Sequence, residues 1–237
     1  MYLMTPAPRK EGTRMVAAFE GVETPDSVDW ATTDAVTAVK NQGSCGSCWA
    51  FSTTGGMEGA YFLKNGKQVS FSEQQLVDCD TAEDQGCNGG LMDNAFQYIA
   101  KNGLATEDSY SYTGKDGSCA SFTAVEGTVG VTYTDVSNTE EALAAAVAQQ
   151  PVSVAVDADI KWQLYRGGIF TKTSGVALDH GVLAVGFGAE DGKAFWKVKN
   201  SWGASWGEDG FIRMQKDINQ DNGPCGITSS ASFPTIA

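Results

Sequence analysis

Apolar residues recur at helical spacing through the first half of the chain and at every second position through much of the second. From Cys48 to about Leu63 the run CWAFSTTGGMEGAYFL sets Phe51, Met57, Ala60, Tyr61 and Leu63 close to one stripe, and Asn65-Gly66 follows as a stop. Gly55 and Gly56 weigh against that helix, each costing about 1 kcal/mol relative to Ala, unless a close-packed neighbour requires small residues. Ser72 with Gln75 reads as a capping box for a short helix through Val77. LMDNAFQYIAKNG, from Leu91, puts Ala95, Phe96 and Ile99 on one face before Gly103 stops it. A further helix is expected from Asn138, with Glu141 three residues on, to the break at Pro151. Then the period changes to two: VSVAV (152–156), GVLAVGF (181–187), AFWKVKN (194–200) and GFIRMQ (210–215) read as strands between Gly- and Asp-rich turns.

Helices first and strands later indicate an α+β protein of two unlike lobes, dividing near residues 130–138. The length of 237 residues fits two lobes sharing one interface, and 42% hydrophobic residues suffice for a packed core. Residues 1–23, punctuated by Pro, Gly and charge, read as an extended or mobile tail or linker. The net charge of −13 and the lack of any basic run argue against nucleic acid as a partner. The acidity reads as a solvated surface. No stretch approaches the roughly 20 apolar residues of a membrane helix, and MYLMTPAPRKEGTR lacks a signal-peptide core.

Chemistry enters with the cysteines, Cys45, Cys48, Cys79, Cys87, Cys119 and Cys225. The first four could hold zinc, although the second pair, eight apart, is wider than a usual ligand gap. A redox C-x-x-C would follow a buried strand, and none precedes Asn41. A third reading makes Cys48 a nucleophile in the first turn of a helix, where unpaired N–H groups and the dipole favour a thiolate. That chemistry needs a base, and the chain has one histidine, His180. Asn200, after the next strand, is the candidate to accept a hydrogen bond from the imidazole and hold its tautomer.

QGSCGSCWAF, CNGG, LDHGVLAVGFG and KNSWGASWGEDGF together resemble the papain-like cysteine peptidases, close to the cathepsin L branch, over roughly residues 24–237. The family's known pattern, C-G-[SA]-C-[WY] with His and Asn about 130 to 150 residues on, is met here at separations of 132 and 152 from Cys48. The resemblance implies a papain-like two-lobe fold: a helical lobe (about 31–134), a barrel-like antiparallel β lobe (about 135–229), a cleft between them, and terminal segments crossing over. It implies that Cys48 attacks the peptide carbonyl, that His180 holds the ion pair and protonates the leaving amine, and that Asn200 orients His180. Gln42 would donate to the oxyanion together with the Cys48 N–H, and Trp202 would shield the His180–Asn200 bond.

The same resemblance pairs Cys45 with Cys87 and Cys79 with Cys119, implying an oxidising compartment. Cys225, whose usual partner is replaced by Ser174, is expected to be a buried thiol outside the disulfides. Gly89 and Gly90 would admit an extended substrate backbone; Leu91, Met92, Ala155, Leu178, Asp179, Gly181 and Ser230 match substrate-binding positions. With no acid at Ser230, a bulky apolar residue is expected at the second position before the cleaved bond. The expected protein is a monomeric thiol endopeptidase, secreted or lysosomal/vacuolar, using no metal or other cofactor. It would act on proteins or peptides and meet propeptide or cystatin-like inhibitors. The long inhibitory pro-region is missing, apart from an expected remnant before Pro25.

Overall fold

The helix beginning at Cys48 runs the length its apolar stripe predicts and supplies the axis on which the other elements are hung. In the computed structural model, which describes residues 16–17, 19, 22–171, 177–218 and 220–236, α1 spans Cys48–Asn65 and is buried from Cys48 through most of its length. Gly66, at φ 66°, caps it by donating its N–H to the Phe62 carbonyl at 2.7 Å. The internal glycines have a packing cause. A Cβ on Gly55 would stand 2.9 Å from Leu183, on Gly56 2.8 Å from the Ser153 hydroxyl, and on Gly59 2.8 Å from Pro151. The helix gives up propensity there so that the sheet can close on it. Ser52 donates to the Val182 carbonyl at 2.7 Å and Ser153 donates to the Ser52 carbonyl at 2.8 Å, tying the two together through buried bonds.

Two more helices pack beside α1. In α2 (Glu73–Cys79) Ser72 accepts from the Gln75 N–H at 3.0 Å, so half of the expected capping box is made. The other half is not. The Ser72 N–H donates to the Ala105 carbonyl, and the Gln75 side chain bridges Ala105 N and the Gly103 carbonyl instead. α3 (Met92–Asn102) buries Met92, Ala95, Phe96 and Ile99 and stops at Gly103, φ 74°. Trp49, Met57, Phe71, Leu76, Phe96, Ile99 and Leu104 form the core of this side.

The strands in chain order are β1 (Val16–Ala17), β2 (Val28–Asp29), β3 (Thr132–Val136), β4 (Val152–Val156), β5 (Ile169–Phe170), β6 (His180–Glu190), β7 (Lys193–Lys199), β8 (Phe211–Gln215) and β9 (Ala231–Thr235). They lie in one sheet in the order β1-β3-β9-β4-β6-β7-β8-β5, with β2 paired to β6. Val16 and Ala17, inside the expected tail, instead extend this sheet by pairing parallel to Asp135 and Val136; most of residues 1–23 lie outside the described residues. β4 and the first nine residues of β6 are buried without alternation, because α1 covers one face and α4 (Glu140–Val147) packs against β6 from elsewhere.

α4 starts one residue later than the sequence suggests. Thr139, not Asn138, is its cap, with an extended backbone and an oxygen accepting from Ala142 N at 3.1 Å. The Asn138 amide is engaged elsewhere, with Asn222 and Thr228. A four-residue helix that the pattern does not reveal, α5 (Ile160–Gln163), is capped by Asp159. The sheet-side core gathers Leu143, Val154, Trp162, Val182, Trp196 and Ile212.

Candidate active site

Cys48 is the first residue of α1 and is fully buried, which places its thiol at the positive end of an 18-residue helix dipole. The loop before it is stapled by the Cys45–Cys87 disulfide and by the Gly46 N–H donating to the Cys87 carbonyl at 2.9 Å. A second disulfide joins Cys79 to Cys119, and Cys48 and Cys225 are buried thiols outside both. Three of the four ligands of the zinc reading are therefore consumed, and the C-x-x-C pair is not a disulfide. Ser174 lies outside the described residues.

His180 opens β6, and its neighbour Gly181 rests on the first turn of α1. A Cβ on Gly181 would lie 3.2 Å from the Cys48 carbonyl oxygen and from the N and Cα of Trp49, so only glycine lets the strand come this close unstrained. This contact sets the strand that His180 opens against the first turn of the helix that Cys48 opens, across 132 residues of chain. Asn200 follows β7, and its Oδ1 lies 2.7 Å from His180 Nε2. The same oxygen accepts from the Ser201 backbone N–H at 2.8 Å. A backbone N–H only donates, so the shared atom is the oxygen, and His180 must carry its proton on Nε2. Nδ1 is left with a lone pair and, among the described residues, no hydrogen-bond partner. Burial pulls the imidazole pKa down to about 4, and the Asn200 bond opposes that shift.

Trp202 stacks on the imidazole with ring centroids 4.6 Å apart, and Trp162 meets it edge-on at 5.6 Å. Trp206 completes the aromatic wall by stacking on Trp162 at 5.0 Å. Gln42 is fully buried beside it. Its Oε1 accepts from Ser201 Oγ at 2.7 Å and Trp202 Nε1 at 3.1 Å, and its Nε2 donates to the Cys45 carbonyl at 2.9 Å. An indole nitrogen can only donate, so this arrangement turns the amide nitrogen of Gln42 toward the cysteine loop. Backbone bonds from Gln42 N to Ser201 O and from Gly203 N to Lys40 O hold the two segments together.

Met92, Ala155 and Leu178 fall in one apolar cluster although they come from α3, β4 and the segment before β6. The Ser230 carbonyl accepts from Ala155 N, and Ala155 pairs with Gly181 in the sheet. Asp179 accepts from Ala158 N at 2.8 Å, and burial raises its pKa. Gly90 is buried: a Cβ there would sit 2.6 Å from the Trp49 ring, so its smallness serves internal packing. Gly89, at φ 124°, takes a backbone conformation that only glycine adopts readily.

The segment carrying these glycines ends on an acid pair. Asp84 accepts from Leu91 N at 2.9 Å and from Asn94 at 3.0 Å, and it lies close enough to Asp80 for the two carboxyls to influence each other's ionisation. Burial, joined by the Asp84 charge, pushes Asp80 up to about 8; burial also pushes Asp84 up to about 6, against its two donors. Both values lie above those of an unfolded chain, so the folded state holds extra protons between about pH 4 and 8, and stability should fall as pH rises through that window. Urea midpoints measured at pH 6.5 and 8.5 are expected to show this slope in the parent and a smaller one in Asp84→Asn. Equal slopes would refute the raised, mutually dependent titration of the two carboxyls.

Sequence reasoning missed two groups here. Trp162 lies in a stretch without a motif, and Trp206, although inside KNSWGASWGEDGF, carries no signal of its own that places it against Trp162. A buried charge network also escaped it. Lys40 bonds Glu58 at 3.1 Å and Glu73 at 2.6 Å, and Lys199 donates to Thr37, which itself bonds Glu58. Burial pushes Glu73 up to about 7, with Lys40 opposing and Glu58 adding to the rise. Lys40, Glu58, Glu73 and Lys199 line a cavity of about 20 Å³ with Gly181, Asn200 and Ser201.

The family model for papain family cysteine protease matches residues 24–235. This chain belongs to that family. It is 53% identical over 228 residues to cysteine proteinase EP-B 1 of Hordeum vulgare, covering 93% of this chain and 62% of that protein. To the KDEL-tailed cysteine endopeptidase CEP2 of Arabidopsis thaliana it is 54% identical over 216 residues, covering 89% and 59%. The chain thus spans about six-tenths of the length of the curated relatives it matches. Among solved structures, the bromelain protease from Ananas comosus in complex with the E64 inhibitor superposes with a TM-score of 0.83 at 40% identity, covering 90% of this chain and 100% of that one. The proform of the ragweed pollen allergen Amb a 11 gives 0.84 at 42%, covering 92% and 67%. The fold is accordingly the papain-like two-lobe α+β fold.

Proposed function

We propose that this papain-family chain is a cysteine endopeptidase in which Cys48 is the nucleophile and His180 its base and acid. The observation that carries the reading is the fixed tautomer of His180: Nε2–H donates to Asn200 Oδ1, leaving the Nδ1 lone pair on a strand that rests against the first turn of the Cys48 helix. The Cys48 proton passes to Nδ1, and the thiolate attacks the carbonyl carbon. The oxyanion accepts from the Cys48 N–H and from Gln42 Nε2, which Ser201 and Trp202 hold in the donating orientation. Collapse to the thioester expels the amine, which takes its proton from His180. Water, deprotonated by the same nitrogen, then hydrolyses the thioester. Since burial, offset only in part by the Asn200 bond, holds the imidazole near pKa 4, the imidazolium depends on the adjacent thiolate for its stability.

The apolar grouping of Met92, Ala155 and Leu178, with Leu91, Gly181 and the uncharged Ser230 around it, supports a preference for a bulky apolar side chain at the second position before the cleaved bond. Gly89 and Gly90 would pair with the substrate backbone, and Asp179 would stand at the same cleft. Two disulfides support an oxidising setting, secreted or vacuolar, and no helix among the described residues is long and apolar enough to cross a membrane. Propeptide or cystatin-like segments are the expected inhibitory partners.

The test is hydrolysis of fluorogenic dipeptides varied at that second position, with and without E64. Turnover is expected to favour Leu or Phe, to be lost on treatment with E64 with the adduct mapped to Cys48, and to be absent in Cys48→Ala. Hydrolysis that survives Cys48→Ala would end the reading; efficient cleavage only after Arg-Arg would end the apolar preference.

A further inference from the structure

Ser47 occupies the N-cap position of α1, yet its side chain makes no capping hydrogen bond. Serine at this position ordinarily accepts from an orphan N–H of the first turn. Here the hydroxyl is engaged 65 residues away, 2.6 Å from the phenol oxygen of Tyr112. The Tyr112 hydroxyl in turn donates to the Gln42 carbonyl at 2.8 Å. A phenol has one proton and a carbonyl can only accept, so the proton goes to Gln42 and Ser47 must donate to the phenol oxygen. The result is a directed chain, Ser47 to Tyr112 to Gln42, linking the residue before the nucleophile to the backbone of the oxyanion donor.

We propose that Tyr112 is a positioning residue for the reaction, clamping the Gln42 loop to the start of α1 so that the amide of Gln42 and the N–H of Cys48 converge on one oxyanion. The inference rests on the roles of Cys48 and Gln42 given above. Tyr112 is itself held on three sides. Its N–H donates to Glu107 at 2.8 Å, and its ring meets Phe51 of α1 edge-on at 4.9 Å. Its hydroxyl makes the two bonds of the clamp. Burial pushes the phenol up to about 12, with the Ser47 bond opposing, so it stays protonated and donating over the whole working range. Gln42 meets the clamp from the other direction through its N–H to Ser201 and its side chain to Ser201 and Trp202. The donor is thus fixed between two segments far apart in sequence, and Tyr112 also reaches the nucleophile's helix.

Tyr112→Phe keeps the ring on Phe51 and removes both hydroxyl bonds. For a fluorogenic dipeptide amide, kcat is expected to fall roughly tenfold with KM within about twofold, because the loss lies in transition-state stabilisation. Alkylation of Cys48 by iodoacetamide, a displacement that generates no oxyanion, is expected to keep its rate within about twofold. Phe51→Leu, which removes the ring contact and leaves the hydroxyl chain, is expected to lower the melting temperature with a smaller fall in kcat than Tyr112→Phe. Should Tyr112→Phe not yield folded protein, Ser47→Ala cuts the chain at its other end and is read by the same split. A parent-like kcat in the variant that folds, or a fall matched equally by alkylation or by Phe51→Leu, overturns the inference while leaving the endopeptidase reading intact. Absence of Cys48-dependent hydrolysis in the parent would remove both.

Discussion

In a Cys48→Ala variant the only imidazole of the chain is expected to titrate near pH 4, well below the ordinary histidine value of about 6.5, while in the parent it should remain protonated to much higher pH. Burial in the wall of Trp162 and Trp202 penalises the cation, and the Asn200 bond offsets only part of that cost. The remaining support must come from the thiolate, which the variant lacks. With a single histidine, one ring carbon resonance followed against pH by NMR decides the matter. A second consequence has a definite sign. A folded-state pKa below the unfolded one means that the unfolded chain binds the extra proton between about pH 4 and 6.5, so the variant should lose stability as pH falls through that window, on the order of 3 kcal/mol in all. A variant histidine titrating near 6.5, with no acid-linked loss of stability, would contradict the burial on which the ion-pair argument stands.

Gln42→Ala is expected to lower kcat by about 10² to 10³, the usual cost of one oxyanion donor. Two separate effects should appear, because the side chain has two ends. Loss of Nε2 removes the donor to the developing charge. Loss of Oε1 leaves Ser201 Oγ and Trp202 Nε1 without their acceptor in a buried setting, which should cost about 1–3 kcal/mol of stability. Steady-state kinetics and thermal unfolding on the same variant separate the two, and Cys48 alkylation by iodoacetamide should be little affected. A kcat within threefold of the parent would remove Gln42 from the reaction.

Much of this was legible in advance, for identifiable reasons. The helix from Cys48 and the strands from Val152, Gly181, Ala194 and Gly210 carry periodic apolar patterns, and each forms within a residue or two of its expected bounds, except that the strand from Gly181 runs on three residues further, to Glu190. Gly55 and Gly56 looked like flaws in a helix because propensity is a local quantity. Their cause, the close approach of Leu183 and Ser153, lies over 95 residues away. The Asn138 cap failed for a similar reason: Asn138 and Thr139 are both competent caps, and Asn222 and Thr228 decide between them by engaging the asparagine. The Gln75 half of the capping box went the same way, drawn off by Ala105 and Gly103.

The candidate site divides along the same line. Residue chemistry alone nominates a thiol at a helix start, one imidazole and an amide to orient it, since few side chains can perform those tasks and the chain contains a single histidine. Which imidazole nitrogen bears the proton, which way the Gln42 amide faces, and that Tyr112 spans the nucleophile's helix and the Gln42 loop depend on donors and acceptors that meet only when α1, β6 and the Ser201–Trp202 segment pack together. Local pattern can specify which groups are present and which way the backbone repeats. Proton placement and pKa depend on burial and on partners distant in sequence, and those exist only in the folded chain.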